Sequence, residues 1–117
     1  MLLEEVVLEE NFIIEKSIQE SVCWQGKITG LEAEDLLRGN AAYTYLLRTG
    51  EKPQNYYISF VEPSGLIKHQ PIEIRYFADA WFSRNYLVGG PYKHETIEQI
   101  IHKMMHCAPG QCLPLSA

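Results

Sequence analysis

Ile97, Ile100, Ile101, Met104 and Met105 fall at i, i+3, i+4, i+7 and i+8, a stripe that predicts an amphipathic helix with one buried face. Pro109-Gly110 is its predicted stop. A shorter helix over residues 30–38 is predicted by Thr29-Gly30-Leu31-Glu32, a capping box in which Thr29 caps and Glu32 reaches back. Ala33, Leu36 and Leu37 give that helix an apolar face, and Gly39 supplies a left-handed stop. Between the two lie three β-rich runs, residues 42–48, 55–61 and 66–76, the last two joined as a hairpin by Pro63-Ser64-Gly65. Residues 21–28, with Trp24, read as a further short strand, and Leu113 with Leu115 as an apolar closing segment.

Two regions do not follow either period. Residues 1–20 mix acids with Leu2, Leu3, Val6, Val7, Phe12, Ile13, Ile14 and Ile18, and are read as an N-terminal extension packing onto a domain of residues 21–117. Residues 78–95 are aromatic and turn-rich, with Trp81, Phe82, Tyr86 and Tyr92 around Gly89-Gly90-Pro91, and read as a long loop between the sheet and the second helix. The fold class predicted is α+β, a central antiparallel sheet flanked by two helices.

At 117 residues and 13.5 kDa the chain suits one core. Ten Lys and Arg against fifteen Asp and Glu give a net charge of -5, which argues against nucleic acid or an anionic membrane surface as partner, so any anion site must be local. No apolar run approaches the ~18 residues of a membrane helix. Cys23, Cys107 and Cys112 leave at least one thiol unpaired, and no basic-then-apolar leader opens the chain, a pattern read as a reducing, cytoplasmic setting.

The candidate chemistry starts at Arg48, which closes the run Ala42-Tyr43-Thr44-Tyr45-Leu46-Leu47. On a strand, Leu46 and Arg48 share one face and Tyr45 and Leu47 the other, so a permanent cation stands on a largely apolar face and predicts an anionic ligand.

The surrounding residues carry a family resemblance. Trp24-Gln25-Gly26-Lys27-Ile28-Thr29, followed by Glu32-Ala33-Glu34-Asp35-Leu36-Leu37, resembles the opening strand and first helix of a Src homology 2 (SH2) domain. Tyr45-Leu46-Leu47-Arg48-Thr49-Gly50 is similar to that family's Phe-Leu-Val-Arg-Glu-Ser signature. Tyr56-Tyr57-Ile58-Ser59-Phe60 resembles its next strand, Lys68-His69 its fourth strand, and Gly110-Gln111-Cys112 with Leu115 its C-terminal edge. The resemblance covers about residues 22–115. It implies non-catalytic recognition of phosphotyrosine in extended peptides by a monomer without metal or cofactor. Arg48 would bind the phosphate, with the turn Thr49-Gly50-Glu51-Lys52 and His69 completing the pocket. An arginine fork bonds two phosphate oxygens at once, and each charge-assisted bond contributes roughly 1.5–3 kcal/mol.

Three positions depart from the family. Gly30 stands where a second phosphate-binding Arg is customary, Gly50 where a hydroxyl is, and Pro71 where a Lys is. Arg84, Tyr92 and Lys93, in the predicted loop, are candidates to compensate by folding over the phosphotyrosine, with low sequence selectivity as the consequence. The departures also fit bacterial effectors with similar domains, which would work in the host cytosol. The competing reading is an adaptor of the same fold that has lost phosphate binding.

Other classes fit less well. A cysteine phosphatase needs an Arg six residues after its nucleophile, and positions 29 and 113 are Thr and Leu. The chain is too short for a kinase and lacks its Gly-rich loop. His102 and His106, four apart with Cys107 and Cys112 nearby, have a zinc-like spacing, but the apolar stripe turns both imidazoles to solvent, and no metal is predicted.

Overall fold

The structure, a computed structural model, describes residues 3–52, 54–85, 89–108 and 110–116, with side chains from Glu9 onward. In chain order the elements are α1 (Leu3–Gln19), α2 (Gly30–Leu37), β1 (Thr44–Thr49), β2 (Asn55–Val61), β3 (Ile67–Phe77), β4 (Ala80–Asn85), β5 (Gly89–His94), α3 (Ile97–Met105) and β6 (Leu113–Pro114). The strands form one mixed sheet in the order β5-β4-β3-β2-β1-β6, antiparallel throughout except for the parallel β1–β6 pair. The α+β class holds, with three helices and six strands among the described residues, one helix more than the two predicted to flank the sheet.

The local signals explain most elements. Both halves of the Thr29–Glu32 capping box form, at 3.1 and 3.0 Å, and Gly39 takes the left-handed conformation just past α2. β2 spans the predicted residues, and β1 starts two residues late because Tyr43 has φ 67°. The 21–28 run does not become a full strand. Cys23 to Gly26 runs beside β1, with Gln25 N–H donating to Leu47 O at 2.9 Å and a single parallel bridge from Trp24 to Leu47.

The predicted 78–95 loop is corrected outright: β4 and β5 pair with each other and extend the sheet from β3, Trp81 facing His94 and Phe82 facing Lys93. Alternation is blurred there because buried polar residues, Ser83, Asn85 and His94, occupy inward positions. Tyr86 lies outside the described residues. The N-terminal extension is also corrected: where no period was read, Leu3–Gln19 form a helix. Glu10, Ile14 and Ile18, spaced by four, are its buried face, while Phe12 and Ile13 are exposed and hide the stripe. Leu2 lies outside the described residues; Leu3, Val6 and Val7 fall in or beside α1 without described side chains.

The sheet has two unequal sides. On one, α1 and α3 cover Tyr45, Leu47, Tyr56, Ile58, Ile72 and Ile74 with Ile14, Ile18, Ile100, Ile101, Met104 and Met105. On the other, α2 covers a small core of Ala33, Leu37, Leu46 and Val61. α3 ends on His106 in the left-handed conformation, upstream of the predicted stop, whose Pro109 lies outside the described residues. Cys107 and Cys112 are joined in a disulfide, and Cys23 is a buried free thiol. Among the described residues no helix is long and apolar enough to cross a membrane.

Candidate functional site

β1 carries Leu46 and Arg48 onto the α2 side of the sheet. Register then decides what they meet. Arg48 pairs with Tyr57 on β2, and Ser59, two residues along the same face, pairs with His69 on β3. Arg48 lies diagonally across: its Nε donates to Ser59 Oγ at 3.1 Å and its guanidinium sits 4.2 Å above the Tyr57 ring centroid.

Arg48 is only 8% exposed, yet among the described residues no carboxylate forms an ion pair with it. Burial pulls its pKa down from the ordinary arginine value, against a small opposing pull from Tyr57. A guanidinium stays protonated even so. The site therefore holds a cation whose desolvation is offset by a hydroxyl and a ring face but by no counter-ion.

His69 completes the cluster. Its Nδ1 lies 2.7 Å from Ser59 Oγ and 3.3 Å from Arg48 Nη2. Arg48 can only donate, and Ser59 Oγ already accepts from Arg48 Nε, so Nδ1 is the acceptor and the imidazole proton resides on Nε2. Burial first, and Arg48 second, lower the His69 pKa below 6.5, opposed by Glu34. The ring is neutral at pH 7 and presents an N–H.

Above these groups is an open depression of about 810 Å³ lined by Lys27, Ile28, Thr29, Arg48, Thr49, Gly50, Glu51, Tyr57 and His69. Of the residues singled out from sequence, Arg48, Thr49, Gly50, Glu51 and His69 are brought together here. Lys52 lines a neighbouring hollow of about 170 Å³ that shares Gly50, Glu51 and Tyr57. Arg84, Tyr92 and Lys93 are not brought to it. Arg84 bonds Glu73 at 3.1 Å, Lys103 Nζ sits 4.0 Å from the Tyr92 ring centroid, and Lys93 is exposed on β5.

The three departures acquire geometry. A Cβ on Gly30 would lie 3.7 Å from Arg48 Nη2 and from His69 Nε2, so the missing side chain leaves open space directly against the cation. A Cβ on Gly50 would lie 2.4 Å from Asn55 O, and the Gly50 N–H donates to that oxygen at 2.9 Å. The turn is too tight for a hydroxyl-bearing residue, and the Gly50 amide is spent on closing it. Pro71 pairs with Tyr57 and contributes no cation, while its carbonyl accepts from Asn85 Nδ2.

Sequence reasoning missed Lys27, Tyr57, Ser59 and Glu34. Tyr57 and Ser59 were findable from the alternation of β2 once its pairing with β1 is fixed, and Glu34 from its position one turn beyond Gly30. Lys27 carried no signal beyond its charge. Elsewhere, Cys23 is unsuited to nucleophilic work, because burial pushes its thiol up to about 11. Among the described residues no three His, Cys, Asp or Glu side chains are grouped to hold a metal ion.

Fold and site together define a small α+β module organised around one buried arginine. The chain belongs to the SH2 domain family, whose sequence model matches residues 24–104. SH2 domains are in general non-catalytic modules that bind phosphotyrosine-containing peptides or act as adaptors. A search of curated proteins finds no match to the chain.

Proposed function

We propose that this protein binds phosphotyrosine in extended peptides, with the Arg48 guanidinium as the phosphate ligand and His69 Nε2–H, Lys27 and the Thr49–Lys52 turn around it. The observation that carries the reading is the 8% exposure of Arg48 without a carboxylate partner among the described residues. A buried cation left unpaired is costly, and a phosphate dianion is the counter-ion whose paired oxygens match an arginine fork. The burial of Arg48, 8% exposed where it lines the depression, supports a long phosphorylated side chain such as phosphotyrosine over phosphoserine.

Arg84, Tyr92 and Lys93 take no part in the proposed pocket, because β4 and β5 carry them to the end of the sheet away from β1. Low sequence selectivity stays in the proposal, because the groups assembled around Arg48 all address a single residue of the ligand. The proposed working compartment is the cytoplasm, where tyrosine phosphorylation supplies the ligand and a reducing setting would open the Cys107–Cys112 disulfide.

A phosphotyrosyl peptide and its unphosphorylated twin, in two different flanking sequences, test this against wild type and Arg48→Ala. Phosphate-dependent binding in both sequences, lost at least tenfold in the variant by the roughly 1.5–3 kcal/mol of a charge-assisted bond, supports it. Equal binding of the phosphorylated peptide and its twin favours the adaptor reading, which the absent cations at positions 30 and 71 also support.

A further inference from the structure

Glu34 stands one turn beyond Gly30 on α2, and its Oε1 is 3.8 Å from His69 Nε2. It is half-buried against the site rather than turned to solvent like Asp35 beside it, which pairs with Arg38. No function assigned so far uses it, and in a site built for an anion a carboxylate is out of place.

Resting on the phosphotyrosine reading, we propose that Glu34 is the site's built-in competing anion: its carboxylate faces the His69 Nε2–H at 3.8 Å, acting on it through charge rather than a hydrogen bond, and must be displaced by the incoming phosphate. The space left by Gly30 is bounded by Arg48 Nη2 and His69 Nε2, each 3.7 Å from the position a Cβ would take. A phosphate oxygen entering that space reaches both donors and arrives beside the Glu34 carboxylate. Two anions this close repel, so Glu34 has to swing away from the imidazole.

The charged and titratable groups facing His69 are Arg48 from β1, Tyr57 beyond it on β2, and Glu34 from α2. Glu34 raises the His69 pKa while burial and Arg48 lower it. Removing the carboxylate charge thus leaves a neutral donor free for the ligand. The consequence is a site whose affinity is deliberately held down, and whose release is assisted by an internal anion ready to return.

Glu34→Gln keeps the size and helix preference of the residue and removes only its charge. The expected result is ~3–10-fold tighter binding of phosphotyrosyl peptide, the scale of one relieved like-charge contact in a half-exposed site, with the unphosphorylated twin unchanged. Histidine titration by NMR in the ligand-free protein gives an independent readout: His69 in Glu34→Gln should titrate at lower pH than in wild type. Phosphate-dependent binding in wild type that is unchanged or weaker in Glu34→Gln overturns this inference alone. An unmoved His69 titration overturns it too, since Glu34 then is not its partner. No phosphate dependence in either protein overturns both this inference and the phosphotyrosine reading.

Discussion

Arg48 and Arg75 are both held against this sheet by side-chain hydrogen bonds, and their partners could hardly differ more. Arg75 Nε donates to both Glu10 oxygens, at 3.0 and 2.9 Å, and its Nη2 lies 2.9 Å from Glu10 Oε1. Glu10, 5% exposed, also accepts from Gln54 Nε2 and from Tyr76 N–H. That hydrogen bonding raises the Arg75 pKa, whereas burial lowers that of Arg48. One arginine fastens α1 to β3 with its charge balanced. The other is kept in place by Ser59 and Tyr57, with no carboxylate paired to it among the described residues.

The two differ in burial as well as in partner, since the Arg75 side chain is 39% exposed and Arg48 only 8%, and it is the buried one without a carboxylate that is proposed to bind the ligand. Exchanging each for methionine breaks the comparison most directly. Arg48→Met is expected to abolish phosphate-dependent binding, at least tenfold, while leaving Tm unchanged or raised, because it removes an uncompensated buried charge. Arg75→Met should do the reverse: it strands the Glu10 carboxylate at a cost of about 1–3 kcal/mol, a Tm drop of roughly 4–12 °C, with peptide affinity retained. Thermal melts and a binding titration on the two variants decide the matter; a large Tm loss in Arg48→Met would make it structural after all.

Gly50→Ser sharpens the same contrast. Restoring the family's hydroxyl should not strengthen binding, because its Cβ collides with Asn55 O at 2.4 Å and the turn must shift. Denaturant unfolding is expected to show a loss of about 1–3 kcal/mol. A gain in phosphopeptide affinity at full stability would show that the turn relaxes freely. Smaller still, Thr29→Ala removes the capping side chain of α2 and should cost about 1 kcal/mol in the same assay.

The smallest effect is on pH. His69 and His94 are each lowered below 6.5, in both cases by burial first, with Arg48 and Lys103 as the respective cationic neighbours. The unfolded chain therefore takes up protons before the folded one as pH falls past 6.5, so their contribution to stability is present above that value and lost as pH drops through the folded pKa values. Melts from pH 7.5 to 5 should show a declining Tm, and His94→Gln should flatten the decline. A Tm that rises toward pH 5 contradicts the assignment of either ring as neutral.

Helix α3, helix α2 and the β2–β3 hairpin were legible because their signals are local: a five-residue apolar stripe, a capping box and a Pro-Ser-Gly turn each act within a few residues. Helix α1 was illegible because exposed Phe12 and Ile13 flank its buried face and a buried Glu10 sits on it, an inversion explained by partners far along the chain, Gln54, Tyr76 and Arg75, the last sixty-five residues away. The β4–β5 pair was hidden likewise, since Ser83 and His94 read as surface residues until they are seen bonded to each other at 2.8 Å inside the sheet.

The sequence by itself determined that Arg48 points from a strand onto a face it shares with Leu46, and that the chain resembles an SH2 domain, because alternation and motif order are properties of the chain alone. Only the tertiary structure decided that Arg48 meets Ser59, Tyr57 and His69 rather than a carboxylate, that Arg84 is committed to Glu73, and that Glu34 faces the imidazole. Those outcomes depend on strand register and on where a helix lies across the sheet, distances that no spacing within one segment encodes.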